Sequence, residues 1–92
     1  MILSMECEFF IPTAHSLKDK RAVVKSMMTR TKQKFNVSTA EVDHQEVWQR
    51  TRLAFVTVSS SKEAAEREME HVLRYLESNP SWECMAIEKE YL

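Results

Sequence analysis

Ninety-two residues, 43% of them hydrophobic and 29% charged, suffice for one core and leave no room for a second. Thirteen Lys or Arg against fourteen Asp or Glu leave the chain nearly neutral, so any strongly basic surface must come from local gathering of charge. Glycine is absent, which excludes the P-loop, the dinucleotide fingerprint, the nucleophile elbow and the GXXG loop of KH domains, each of which needs Gly where backbone meets phosphate or turns sharply.

The first element is a half-buried strand. Residues 2–12 alternate, with Leu3, Met5, Cys7, Phe9 and Ile11 on one face and Ser4, Glu6, Glu8 and Phe10 on the other, and Pro12 ends the run. The strand is also the first apolar stretch of the chain, and Ser4 and Glu6 interrupt it too early for a secretory leader. No apolar run approaches the roughly 20 residues of a membrane span. The expectation is a soluble cytoplasmic protein.

A helix follows from Leu17 to Lys34 or Phe35. Ser16 is its N-cap and Asp19, three residues on, makes a short capping box. Leu17, Val24, Met28, Thr31 and Phe35, with Met27 beside them, form the predicted buried face. Seven Lys or Arg lie between Lys18 and Lys34 against the single acid Asp19. Lys18, Lys25 and Lys32, seven apart, line up on one flank with Arg21 at its border, while Lys20, Arg30 and Lys34 fall on the other. Lys18, Lys20 and Arg21 crowd the turn where the helix dipole is positive, at ~0.3–1 kcal/mol each when exposed. Residues placed against local stability are candidates for function. His15, Lys18, Lys20, Arg21, Lys25 and Lys32 are therefore the candidate anion-binding set. A lysine stripe four turns long suits a nucleic-acid backbone better than one small phosphate.

Residues 36–42 form a short strand, and 43–50 a connector with room for one helical turn capped by Asp43. Trp48, in this polar stretch, is expected to fold back over a sheet end or edge; its alternative role is an interface anchor. Residues 51–58, apolar on both faces, suit a central strand. Either Leu53 and Phe55 or Ala54 and Val56 point away from the helices. Ala54-Phe55-Val56 resembles part of the base-stacking pattern of RNA-recognition motifs, with Arg52 and Leu53 where Gly and an aromatic are expected. Phe10 and Phe55 are thus candidate interface residues on the sheet, for RNA bases or for a second copy of the chain, and Trp48 is the candidate interface anchor beside them.

Ser59–Ser61 start a second helix that buries Ala65, Met69, Val72, Leu73 and Leu76 and stops at Asn79-Pro80. Residues 82–91 form the last strand. Neither the neighbours Asp43 and His44, nor His71, nor the alternating Glu83, Glu88 and Glu90 make an acid–base pair, and no metal spacing exists. The expectation is a non-enzyme without cofactor, metal or small-molecule substrate.

The order β-α-β-β-α-β has a known solution, the α+β ferredoxin-like sandwich: a four-stranded antiparallel sheet, order 4-1-3-2, with both helices on one face. Right-handed crossovers lead us to expect strands 1 and 3 side by side and parallel at the centre. Strand 4 then lies antiparallel beside strand 1, which brings Cys84 level with Cys7. The two cysteines are in no C-x-x-C or zinc spacing and are expected as small apolar side chains. Weak alternation in strand 4 leaves open whether they share a face or could bridge. Residues 1–53 carry nine Lys or Arg against six acids, and 54–92 carry four against eight, net +3 and −4.

The run Ala14-His15-Ser16-Leu17-Lys18-Asp19-Lys20-Arg21 resembles the A-H-S-L-K-E-K-R signature of the YlxP-like family of small bacterial proteins. Phe35-Asn36-Val37-Ser38, then Ala40-Glu41-Val42-Asp43-His44-Gln45 and Trp48-Gln49-Arg50, resemble its second signature. The resemblance covers essentially the whole chain and implies the same ferredoxin-like fold. It implies no catalytic residues. Members resemble, loosely and by genomic company, ribosome-associated factors such as ribosome-binding factor A, which is association and not mechanism; the expectation of RNA or a ribosomal subunit as partner rests on the Lys18/Lys25/Lys32 stripe. Ser4, Thr13 and Ser81 stand where members commonly have Gly.

Overall fold

The alternating pattern of the first strand sets the layer order. The computed structural model describes all 92 residues and places β1 (Ile2–Phe10), α1 (Leu17–Lys34), β2 (Ser38–Asp43), β3 (Arg50–Val58), α2 (Lys62–Glu77) and β4 (Glu83–Tyr91) in sequence. Leu3, Met5, Cys7 and Phe9 of β1, and Ile11 just after it, are buried to 1% exposure or less. They meet Ala65, Met69, Val72 and Leu76 of α2 and Val24 and Met27 of α1 in one core. The sheet order is β2-β3-β1-β4, with both helices against one face.

Every neighbouring pair of strands is antiparallel, β1 and β3 included. This corrects the expected parallel centre. Each crossover passes over an intervening strand: β1 and β2 run the same way, and β3 lies reversed between them.

Two β-bulges explain what alternation alone could not. On β4, Phe9 faces Cys84 and Glu8 faces Ala86, so Met85 is an extra residue. The parity of β4 therefore flips. Cys84 lies on the helix side before the bulge, and Ile87, Lys89 and Tyr91 lie there after it. Cys84 consequently sits opposite Phe9 rather than level with Cys7, though both thiols are on the helix face and free. On β2, Val42 is the extra residue, between Glu41 opposite Leu53 and Asp43 opposite Arg52. Parity on β3 also settles its faces. Leu53 and Phe55 are fully buried beneath the helices, and Ala54 and Val56 face outward. Phe55 is thus a core residue and is withdrawn as an interface residue.

Helix α1 begins as its cap predicts: Asp19 N–H donates to Ser16 Oγ at 3.0 Å. Its buried stripe is rotated from the expected one. Lys20, Val24, Met27 and Thr31 are buried, while Leu17, Met28 and Phe35 are half-buried. Thr31 satisfies its hydroxyl on Met27 O at 2.6 Å. Lys20, fully buried, extends its apolar stem under the helix. Its Nζ lies 2.9 Å from Glu41 Oε2 of β2 and donates to the His44 carbonyl. Thr51 of β3 donates to the same carboxylate oxygen at 2.6 Å. One ammonium thereby joins α1, β2 and the β2–β3 connection, and the shared carboxylate brings in β3.

The far end of the core is closed by Trp82, which stacks on Phe9 with ring centroids 4.0 Å apart and donates its indole N–H to Leu76 O at 2.7 Å. Such a stack adds ~0.5–1.5 kcal/mol beyond burial. Helix α2 starts at Ser61, whose Oγ accepts from Ala64 N–H at 3.2 Å, and ends at Ser78, one residue before Asn79-Pro80.

Removing Lys20 leaves the Glu41 carboxylate without its cation. Lys20→Ala is expected to lower the unfolding free energy by about 3 kcal/mol, the low end for a broken buried pair, since Glu41 keeps 19% exposure. The double change Lys20→Met with Glu41→Leu should lose less than the single one. Urea midpoints at constant m-value measure both; a Lys20→Ala midpoint equal to wild type contradicts the assignment.

Candidate functional site

The rotation of α1 divides its cations into two groups. Lys20 is inside and paired, which corrects its placement in the anion-binding set: its charge is already neutralised by Glu41, and its unfavourable position at the helix N-terminus is offset there. Lys18, Arg21, Lys25 and Lys32 are exposed, and none has a carboxylate within ion-pair distance. At about 100° per residue they occupy roughly 60° of the helix circumference, over about 21 Å of its length. Arg21, Lys25 and Lys32 border an open groove of about 460 Å³, floored by Val24, Met28 and Thr29 of α1 and bounded by Glu41 of β2. The stripe therefore looks toward the β2 edge and away from the acids of α2. Of the other two helix cations, Lys34 lies over the Tyr75 ring at 5.2 Å and Arg30 lines a hollow with Tyr75, Asn79 and Pro80.

His15 is exposed, and its backbone N–H donates to Asp19 Oδ2 at 3.1 Å. The Asp19 carboxylate thus lies at the helix mouth. The cations of α1 without a carboxylate partner lie along its flank.

The β2–β3 connection is a tight turn with no helical segment, closed by Val47 N–H donating to His44 O at 3.0 Å. His44 has φ 62°, and its N–H is held by Asp43 Oδ1 at 2.7 Å. The connection is pinned at both ends. Lys20 holds His44 O, while Gln49 Nε2 donates to Pro12 O at 3.1 Å and Ala14 O at 3.2 Å. Gln49 takes the inward position, so Trp48 before it points out. Trp48 is 53% exposed. Val42 and Val47 are exposed nearby in sequence.

The open face of the sheet is charged where RNA-recognition motifs carry aromatics. Arg52 Nε donates to Glu6 Oε1 at 2.7 Å, and its Nη2 lies 3.0 Å from Glu88 Oε1. Glu8 receives His44 Nε2 at 3.1 Å and Arg50 Nη2 at 3.4 Å. These pairs cover the centre of the face and leave Arg52 only 17% exposed. With Phe55 turned inward and Phe10 half-buried at one end, bases have no platform on β1 and β3. The Glu8–His44 pair was not visible in the sequence, where His44 has Asp43 as its neighbour; the pair forms across 36 residues. The hydrogen bond from His44, then the charge of Arg50, holds the Glu8 carboxyl below its ordinary range.

Burial pushes the Cys7 thiol up to about 12, with a further rise from Cys84, so it is no nucleophile at neutral pH. No group of three or more His, Cys, Asp or Glu is placed to hold a metal ion, and no helix is long and apolar enough to cross a membrane.

A family model described as "Protein of unknown function (DUF503)" matches residues 2–89. The chain is 47% identical over 83 residues to the "Uncharacterized protein YlxP" of Bacillus subtilis (strain 168), covering 90% of each. The chain belongs to this family. The two runs that carry the resemblance meet in space: Lys20 and Ala14 of the first contact Glu41, His44 and Gln49 of the second.

A carboxylate whose pKa is lowered on folding adds stability above its unfolded pKa and loses it as the pH falls through the folded one. Glu8→Gln should therefore be less stable than wild type at pH 7, with the gap closing as the pH drops below 4.5, the ordinary Glu value. Denaturant midpoints across pH 2–7 check this; a gap of constant size would show that the Glu8 charge does not matter to folding.

Proposed function

We propose that this protein is a non-enzymatic cytoplasmic binding module that docks on structured RNA, such as a ribosomal subunit, through the exposed flank of α1. The observation that carries the reading is the stripe of Lys18, Arg21, Lys25 and Lys32, four cations without a protein carboxylate beside a groove. Cations that stabilise a fold are found paired, as Lys20 is. Four unpaired ones on one flank repel each other, and an anionic partner relieves that repulsion. The phosphate backbone supplies such a partner as a row of charges, and binding releases its counterions. The near-neutral total charge of the chain is compatible with this. Apart from Asp19 and the Lys20-paired Glu41 at the edge of the groove, acids gather on other surfaces, Glu63, Glu66 and Glu70 in the α2–β4 groove and Glu6, Glu8 and Glu88 on the open sheet face.

A second reading, a homodimer through the open sheet face, is favoured by one corner only. Ile2 and Val58 are directly paired there, and with Val56 they are 36–58% exposed. The centre of the face is covered by its ion pairs.

With four phosphates engaged, log K against log salt should have a slope of about −3.6, roughly a 150-fold loss of affinity between 50 and 200 mM salt. Lys18→Glu/Lys25→Glu/Lys32→Glu should abolish binding to RNA or to isolated subunits while leaving the circular dichroism unchanged. A triple variant that binds like wild type with the same slope sinks the RNA reading.

For the dimer, light scattering at high micromolar concentration decides. The expected dimer reverts to monomer in Val58→Asp, and a wild-type monomer at that concentration removes the second reading.

A further inference from the structure

The basic stripe accounts for the backbone of a nucleic acid but leaves Trp48 unused. Trp48 is the most exposed aromatic side chain, at 53%. The loop that carries it is hydrogen-bonded at both ends, to α1 and to the segment before it. Lys20 grips His44 O, and Gln49, the residue after Trp48, bonds Ala14 O two positions before the helix cap. The same helix end starts the stripe at Lys18. A strand laid along Lys32, Lys25, Arg21 and Lys18 therefore runs toward the loop that displays the indole.

The charges around the indole differ from those along the stripe. In the chain, Asp43, 65% exposed, and Glu46 precede it, and Arg50, two residues after it, is turned to Glu8. A phosphate is repelled at that point. The uncharged π-face of a base is not, and every base has one. In a continuous duplex the bases are stacked on each other and present no face. An unpaired nucleotide, in a single strand, loop or bulge, does.

Resting on the RNA reading above, we propose that Trp48 is a stacking platform for one unpaired base of the RNA whose backbone follows the α1 stripe. The partner is then RNA with an unpaired segment next to the phosphates that α1 holds, and regular duplex is a poor ligand.

The test uses the full chain with a 12-nucleotide uridine-rich single strand and a blunt RNA duplex of equal length. Trp82 is buried at 4% exposure and stacked on Phe9, so fluorescence quenching by RNA reports on Trp48. The single strand should bind more tightly than the duplex and quench the exposed indole. Trp48→Ala should weaken single-strand binding about 5- to 150-fold, the range of one base–aromatic stack, and leave duplex binding and the salt slope unchanged. Trp48→Phe should keep most of the affinity and lose the quench. If Lys18→Glu/Lys25→Glu/Lys32→Glu lowers the affinity but Trp48→Ala does not, the stacking proposal falls and the RNA reading stands. If neither RNA binds, both fall. Quenching that rises with protein concentration and without RNA assigns the indole to a contact between copies and overturns the proposal.

Discussion

The Lys20–Glu41 pair is the constraint on which the arrangement of α1 depends. A buried ammonium is tolerated only when its charge and donors are matched, because the desolvation of each ion costs several kcal/mol. Here the matching groups come from β2 and from the β2–β3 turn, with Thr51 of β3 completing the carboxylate. Such a site has one geometry. It sets the rotation of α1 over the sheet, and that rotation sends Arg21, Lys25 and Lys32 to the groove along β2. It also fixes His44 O, and so the path of the turn that displays Trp48. An apolar residue at position 20 could hold the helix to the core, but it would not tie the turn to the helix.

This pin separates the cations of α1 by role. Lys20 is spent on the fold, Lys34 rests on Tyr75, and the stripe is left over. The acids are separated too. Cross-strand partners share a face, so the registers put Glu6, Glu8, Asp43, Glu83, Glu88 and Glu90 together on the open sheet face, with only Arg50 and Arg52 opposing them. The molecule is therefore polar across its layers, with a basic flank on the helix side and an acidic back. A field of this kind orients an approaching polyanion before contact and disfavours docking by the sheet. Near neutrality of the whole chain conceals it.

The sequence disclosed the elements, the caps and the core face of β1, because each rests on local chemistry: alternation, Ser16 and Ser61 at helix starts, Pro80 beyond a helix end. It concealed what depends on partners distant in the chain. Lys20 looked like a surface cation, since nothing at helical spacing reveals a carboxylate 21 residues away on a neighbouring strand. Phe55 was ambiguous because β3 is apolar on both faces, and Cys84 for a different reason. A side chain's face follows from parity, and parity is lost wherever a bulge inserts a residue, as at Val42 and Met85. The direction of β3 beside β1 is a matter of topology: a crossover that skips a strand makes its flanking strands parallel and the skipped one antiparallel. Of the site, the Lys18/Lys25/Lys32 stripe was legible from its seven-residue spacing. The exposure of Trp48 was not, because it depends on Gln49 taking the inward place.

Gln49 shows how a stable fold comes to present an unstable surface. Burying an indole near a sheet end would gain apolar area, and the expectation that Trp48 folds back rested on that gain. The end is closed instead by hydrogen bonds from an amide to Pro12 O and Ala14 O, which are worth about 1 kcal/mol each and satisfy carbonyls that the turn before α1 leaves without partners. Those bonds exclude the indole from the position. Stability alone would favour Trp at the inward place and Gln outside. The reverse order keeps a large aromatic surface in water, held by a turn at the end of a row of unpaired cations. A side chain whose loop is tied at both ends has less freedom left to lose when it is covered, so the order that forgoes this burial leaves the aromatic face in a defined place.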